Sequence, residues 1–276
     1  MIEVRDLVKH YGEVRAVDGV SFQCPDGHIT GLLGPNGAGK TTTLRMICGL
    51  IRPMQGTVIV DGHDVGQNPA AVRRALGVQT DSSGTYPRLT PREHFTYFGG
   101  FYGLSGSELG ARVQAVIDML GMGEFADRRT EGFSRGQRQK VILGRALVHD
   151  PKNVIMDEPT SGLDVMAVRE TRDIIRLLRD RGHCVLFTTH YMDEAARLCD
   201  RVAIIVRGRI AAVGSPAELM GKTGCDSLED AFVALAGGAQ GLLVSEYANA
   251  YGNAYGNAGG GIDSNDRGGD AGGRAR

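Results

Sequence analysis

The chain has 276 residues, 42% of them hydrophobic and 23% charged, and a formal net charge of −1. That composition supports one large α/β domain or a domain with a subdomain, and it excludes a charge field that would by itself draw in nucleic acid or an anionic membrane surface. The five cysteines are scattered without a C-x-x-C pair, which argues against a disulfide framework or zinc site and for buried thiols in a reducing compartment.

Residues 2–4 and 20–23 cluster β-formers and predict two short strands. Between them Lys9-His10-Tyr11-Gly12 reads as a turn. Spacing alone makes Tyr11 a core aromatic, although its ring face could also stack on an adenine. Ile29-Thr30-Gly31-Leu32-Leu33 is an apolar run of strand length. It leads into Gly34-Pro35-Asn36-Gly37-Ala38-Gly39-Lys40-Thr41-Thr42, the G-x-x-x-x-G-K-[ST] pattern of a phosphate-binding P-loop. Leu44, Ile47, Cys48 and Ile51 then recur on one helical face. A strand that turns through glycines into a helix is the context this motif needs. Gly34, Gly37 and Gly39 let backbone N–H groups turn inward onto an anion. The helix N-terminus adds the positive end of its dipole. Lys40 can reach the β- and γ-phosphates, and the Thr41 hydroxyl can ligate Mg²⁺. Gln55-Gly56 leads to a strand at 57–60, followed by the turn Asp61-Gly62.

Residues 70–76 predict a helix and 76–78 a short strand. Gln79 to Pro91 is irregular. Helical patterning covers 93–102 and 108–120, where Val113, Val116, Ile117 and Leu120 share a face. This middle third predicts a helical insertion into an α/β core. Phe133-Ser134-Arg135-Gly136-Gln137 precedes a helix from Arg138 to about His149, with Ser134 as its N-cap. Residues 153–158 read as a buried strand ending in two carboxylates. Asp157 and Glu158 thus stand at the strand end where open α/β sheets bind ligands. Ser161-Gly162-Leu163-Asp164 is a loop before a helix at about 168–181. Cys184 to Thr189 is another buried strand, and His190 falls just past its end, on the phosphate side. Strands at 202–206 and 210–213 flank Arg207-Gly208-Arg209, a hairpin. Asp226-Ser227-Leu228-Glu229 resembles a capping box. The repeated Tyr-Gly-Asn-Ala units at 247–258 belong to a tail with few apolar residues, expected to be mostly disordered.

Phe133-Ser134-Arg135-Gly136-Gln137 resembles the LSGGQ signature of ABC ATPases, with Phe for Leu and Arg for the first Gly. P-loop, signature, Asp157-Glu158, Ser161–Asp164 and His190 follow one another in that family's order. The likeness spans about residues 2–215. It implies a P-loop α/β core, with a mainly parallel sheet and flanking helices, a small antiparallel β subdomain and an inserted helical subdomain. The implied layout is an ATPase domain over 1–220 with its helical subdomain at about 82–148, to which the capping box and the change of composition add a C-terminal helix over 221–238 and the tail over 239–276.

The resemblance also implies roles. The loop from Gly34 to Thr42, with Pro35, Asn36 and Ala38 and with Lys40 above all, would hold the phosphates of ATP. Tyr11 falls at the adenine-stacking position. Thr41 would bind Mg²⁺, with Asp157 acting through water. Glu158 would be the general base and His190 would contact the γ-phosphate. Ser134, Arg135, Gly136 and Gln137 would close over the ATP of a second subunit in a head-to-tail dimer, with Asp164 lining that interface. Asp81 aligns with the Q-loop position that glutamine ordinarily fills, while Gln79 stands two residues early. Residues 80–102 and 230–235 are similar to the ATPase subunit of NatA-type sodium exporters.

The implied function is the ATP-hydrolysing subunit of an exporter, with ATP and Mg²⁺ as cofactors and a separate transmembrane permease as partner. No nucleic acid partner is expected. Sodium is the cargo by subfamily likeness, and drug or antibiotic export is the alternative. A ribosome- or DNA-acting ATPase is the reading of another class. The single P-loop and the short interval between Lys40 and Ser134 speak against it. No apolar run approaches the roughly 20 residues of a membrane span, and the first residues have no signal-peptide pattern. The expected location is cytoplasmic, peripheral on the cytoplasmic face of the cell membrane.

Overall fold

Four largely apolar segments, at 29–33, 153–157, 184–189 and 201–206, form the centre of one sheet in the computed structural model, which describes residues 1–80 and 84–237. In chain order the elements are β1 (Ile2–Tyr11), β2 (Val14–Cys24), β3 (Ile29–Leu33), α1 (Lys40–Ile47), β4 (Gln55–Val60), β5 (His63–Asp64), α2 (Pro69–Ala75) and β6 (Leu76–Gln79). Then come α3 (Pro91–Phe101), α4 (Gly106–Met119), α5 (Arg135–Leu147), β7 (Asn153–Asp157), α6 (Val165–Asp180) and β8 (Cys184–Thr189). The described chain closes with α7 (Met192–Leu198), β9 (Arg201–Val206), β10 (Arg209–Gly214), α8 (Pro216–Thr223) and α9 (Leu228–Gly237).

The large sheet has the order β10-β9-β3-β8-β7-β6, parallel throughout except for β10 against β9. A second, antiparallel sheet has the order β2-β1-β4-β5. β3, β7 and β8 are buried at every residue because both faces of the sheet are covered. Their side chains alternate between two cores. Val154 and Met156 of β7 enter one core and Ile155 the other; Val185 and Phe187 of β8 oppose Leu186 in the same way. One core lies under α3–α7 and α9, and the second is shared with α1 and the antiparallel sheet. Each fully buried aliphatic side chain contributes roughly 1.5–3 kcal/mol to this arrangement.

Between β6 and β7 the chain leaves the sheet to form α3, α4 and α5. Phe95 of α3 is fully buried against Gly144 of α5, where any Cβ would run into its ring. α3 begins at Pro91, two residues before the predicted start. Thr90 caps it reciprocally with Glu93, and the proline occupies the first turn, where no N–H is needed.

Several elements differ from the sequence reading. The strands predicted at 2–4 and 20–23 extend to ten and eleven residues. Lys9, His10 and Tyr11 belong to β1, paired with β2 as far as Tyr11–Val14. Register shifts around Asp6, which has φ 48°, break the alternation that would have revealed the strand. α5 begins at Arg135 and α6 at Val165, each three residues earlier than predicted, because Ser134 and Asp164 cap them directly. α7 and α8 escaped notice because their seven and eight residues span barely two turns. The cap of α9 is Ser227, whose Oγ accepts from Asp230 N at 3.0 Å. The tail over 239–276 and Asp81 lie outside the described residues.

Candidate active site

β3 is buried at every residue and ends against the turn that starts α1. Gly39, at φ 105°, is the N-cap of α1, and a Cβ there would meet the carbonyl oxygen of Ala16. A Cβ on Gly34 would likewise strike the carbonyl oxygen of Ile205. These close approaches require glycine. They also fix the loop between β2 and β9, where Gly208 N donates to Ala38 O at 2.9 Å. The first turn of α1 holds no acidic residue, so nothing on the helix competes with an anion for its N-terminus. Lys40 Nζ donates to Gly34 O at 2.8 Å and Pro35 O at 3.1 Å. Its burial lowers the ammonium pKa, opposed by the nearby Glu158 and Asp157 charges.

Asp157 ends β7 directly opposite Thr188 of β8. Thr188 Oγ1 donates to Asp157 Oδ1 at 2.6 Å, and Thr41 Oγ1 donates to Asp157 Oδ2 at 3.3 Å. Thr188 Oγ1 also accepts from Glu158 N at 3.0 Å. One hydroxyl thereby sets both carboxylate residues. Sequence reasoning missed Thr188; the available signal was a polar residue at the end of an apolar strand, next to His190. A hydroxyl and a carboxylate, with few other protein donors, suit Mg²⁺, which keeps several waters and shares phosphate oxygens. Among the described residues there is no cluster of three or more His, Cys, Asp or Glu that would make a self-sufficient metal cage.

Glu158 adopts φ 47°, an unusual conformation for a residue with a long side chain. Its Oε1 lies 3.2 Å from His190 Nδ1 and 3.6 Å from Lys40 Nζ. The His190 ring is the first cause, and the Lys40 charge a further one, of a Glu158 pKa below the usual carboxylate value, against the upward effect of burial. The His190 ring also rests against Tyr191, centroid to centroid 4.1 Å. Lys40, Thr41, Asp157, Glu158 and His190 thus form one cluster at the C-terminal ends of β3, β7 and β8.

Tyr11 is 49% exposed, so the core reading drawn from spacing is corrected. Its ring carries Lys9 Nζ at 5.7 Å from the centroid. It sits on the β1–β2 hairpin, whose Ala16 carbonyl abuts Gly39. Ser134 and Gln137 form a reciprocal cap: Gln137 N donates to Ser134 Oγ at 3.2 Å, and Ser134 N donates to Gln137 Oε1 at 3.0 Å. The Arg135 guanidinium packs on Gly162, and a Cβ on Gly136 would lie 3.0 Å from that of Ala167. Signature residues and the 161–167 segment therefore form a second cluster. Asp164 caps α6 by accepting from Ala167 N at 2.9 Å. Gln79 is 1% exposed and pairs in register with Met156, which places it on the opposite sheet face from Asp157.

A parallel sheet with this loop, lysine and carboxylate pair defines a P-loop nucleoside triphosphatase. The family model described as ABC transporter matches residues 17–161. The chain is 41% identical to "ABC transporter ATP-binding protein NatA" of Bacillus subtilis, over 78% of this chain and 89% of that protein. It is also 41% identical to "Daunorubicin/doxorubicin resistance ATP-binding protein DrrA" of Streptomyces peucetius, over 82% of this chain and 69% of that protein. A solved "ATP binding subunit of ABC transporter" superposes with TM-score 0.77 at 30% identity, covering 85% of this chain and 99% of that one. The chain belongs to the ABC transporter family, as a nucleotide-binding subunit that hydrolyses ATP. None of its described helices is long and apolar enough to cross a membrane.

Proposed function

We propose that the chain energises export through a separate transmembrane permease, working as a head-to-tail pair of ATPase subunits on the cytoplasmic face of the membrane. Nucleic acid has no part in this reading. The observation that carries the chemistry is Glu158, held at φ 47° with its carboxylate between His190 and Lys40. Lys40 and the loop amides of 34–42 hold the phosphates, with Tyr11 on the adenine. Thr41 would hold Mg²⁺, with Asp157 acting through water, and the ion would supply charge neutralisation at the transferred phosphoryl group. Glu158 takes a proton from the attacking water, and His190 orients Glu158 and faces the γ-phosphate. Ser134, Arg135, Gly136, Gln137 and Asp164, gathered in the second cluster, belong to the surface that meets the other subunit. Asp81 is proposed as the Q-loop residue.

Export is supported by the names of relatives, among them "Nod factor export ATP-binding protein I" of Paraburkholderia xenovorans at 41% identity. The drug-resistance relative and the NatA relative are equally similar, at 41% each, so drug export stands beside the sodium cargo that the subfamily likeness of residues 80–102 and 230–235 implies.

Glu158→Gln tests the base assignment. Turnover should fall by roughly 10²–10⁴-fold, the usual worth of a positioned base. ATP affinity should hold, and the variant should accumulate as an ATP-dependent dimer in size-exclusion chromatography. Near-normal turnover would remove Glu158 from the mechanism.

A further inference from the structure

Behind the catalytic cluster lies a carboxylate that the mechanism above does not use. Glu194, in α7, is 1% exposed. Its Oε2 accepts from Thr160 Oγ1 at 2.9 Å and from Thr189 Oγ1 at 3.1 Å. Its Oε1 stands 3.5 Å from Arg172 Nε of α6. Each of these partners belongs to a segment with a role. Thr160 follows Glu158 by two residues, and Ser161 N donates back to Glu158 O at 3.1 Å. Thr189 immediately precedes His190 and accepts from Tyr191 N at 3.0 Å, so it brackets the histidine. Arg172 lies on the helix that Asp164 caps.

Burial of a carboxylate costs several kcal/mol unless charges and hydrogen bonds compensate it. Two threonine hydroxyls alone would be served equally well by a buried glutamine. What demands the acid is the third partner. The Arg172 contact is loose: Nε and Oε1 are both buried and neither has a hydrogen-bond partner. Two opposite charges in that state gain a charge-assisted hydrogen bond from a displacement of a few tenths of an ångström. The same carboxylate thus faces α6 through Arg172 and, through the two threonines, the segments carrying Glu158 and His190.

We propose that Glu194 is a positioning residue that couples the Asp164 end of α6 to the Glu158–His190 pair. This rests on the reading of Glu158 and His190 given above. It assigns Glu194 and Arg172 to the alignment of the water-attack geometry and gives them no part in holding nucleotide.

The test uses the full chain with Glu194→Gln, Arg172→Gln and the double variant, measuring kcat and, separately, ATP affinity by equilibrium titration. Each single change should lower kcat about 10-fold and leave ATP Kd within about twofold, because it removes an interaction that acts in the transition state. The double variant should recover to within about threefold of the wild type, since two amides re-form a neutral pair across the same gap. Multiplicative losses in the double variant would overturn the coupling. So would ATP affinity falling in step with kcat, the mark of a merely structural role. If Glu194→Gln does not fold, Arg172→Gln alone still decides, because unchanged kcat in that variant overturns the proposal. The two readings fail separately: a turning-over Glu158→Gln removes the base assignment, whereas an inactive Glu158→Gln with a flat Glu194 series removes only this inference.

Discussion

Glu158 owes its state to three neighbours: Thr188, which accepts from its backbone N–H, and the His190 and Lys40 side chains at its carboxylate. The His190 ring is the leading cause of its lowered pKa. A group with a depressed folded-state pKa stays ionised to lower pH, and its stabilising contribution, present above the unfolded value, is lost as pH falls through the folded value. The base form therefore persists through neutral pH and into mild acid. His190→Ala removes the main lowering influence. Its kcat should fall by roughly 10²-fold, by analogy with other acid–base groups. The acid limb of its kcat/KM profile should also move to higher pH. Steady-state rates carried down through the ordinary carboxylate range, to about pH 4, check this, and an unmoved limb would separate His190 from Glu158. None of these contacts was legible in the sequence. Lys40, Asp157, Glu158 and His190 could be picked out by motif, but the threonine that orients two of them looks like any strand-end residue.

At the scale of elements, the join between α5 and the edge strand β6 depends on His149. Its ring stacks on Tyr102 with centroids 3.5 Å apart, and Nε2–H donates to Leu76 O at 3.1 Å. Burial drives its pKa down to about 4. The native state thus holds His149 neutral, while the unfolded chain protonates near the ordinary value of about 6.5. Stability is complete above that value and declines as pH falls from there towards 4. Between pH 7.5 and pH 5.0 this group alone should withdraw about 2 kcal/mol. Urea denaturation at the two pH values measures it, with His149→Gln as control. The glutamine keeps a donor for Leu76 O and does not titrate, so its pH dependence should be smaller by that amount. Equal pH dependence in both proteins would refute the assignment.

For the whole molecule, the candidate residues stand at or before His190, those of the catalytic cluster at the ends of β3, β7 and β8. The last described helix belongs to the fold nonetheless: Phe232 of α9 is 2% exposed and packs in the larger core. Truncation after Gly237 should leave kcat unchanged and Tm within about 2 °C of the full chain. Truncation after Ser227 removes Phe232 and should cost at least the roughly 3–5 kcal/mol of a buried Phe→Ala change. Thermal melts and ATPase assays of the two truncations compare these outcomes. Loss of activity in the first would give the residues beyond 237 a role in the site.

The sequence by itself determined the P-loop, the order of the motifs and the parallel sheet, because each depends on local chemistry. Glycine spacing, a lysine at a helix start and unbroken apolar runs are all short-range signals. Only the tertiary structure decided the rest. The face of β6 that Gln79 occupies follows from its register against β7. Tyr11 is exposed because β1 continues to the hairpin tip, and Arg135 leans on Gly162 because α5 and the 161–164 segment meet. Glu194 meets Thr160, Thr189 and Arg172 only because the turn after β7, the end of β8 and α6 converge on it. Such contacts join residues that are distant in the chain, and packing sets them where periodicity carries no record.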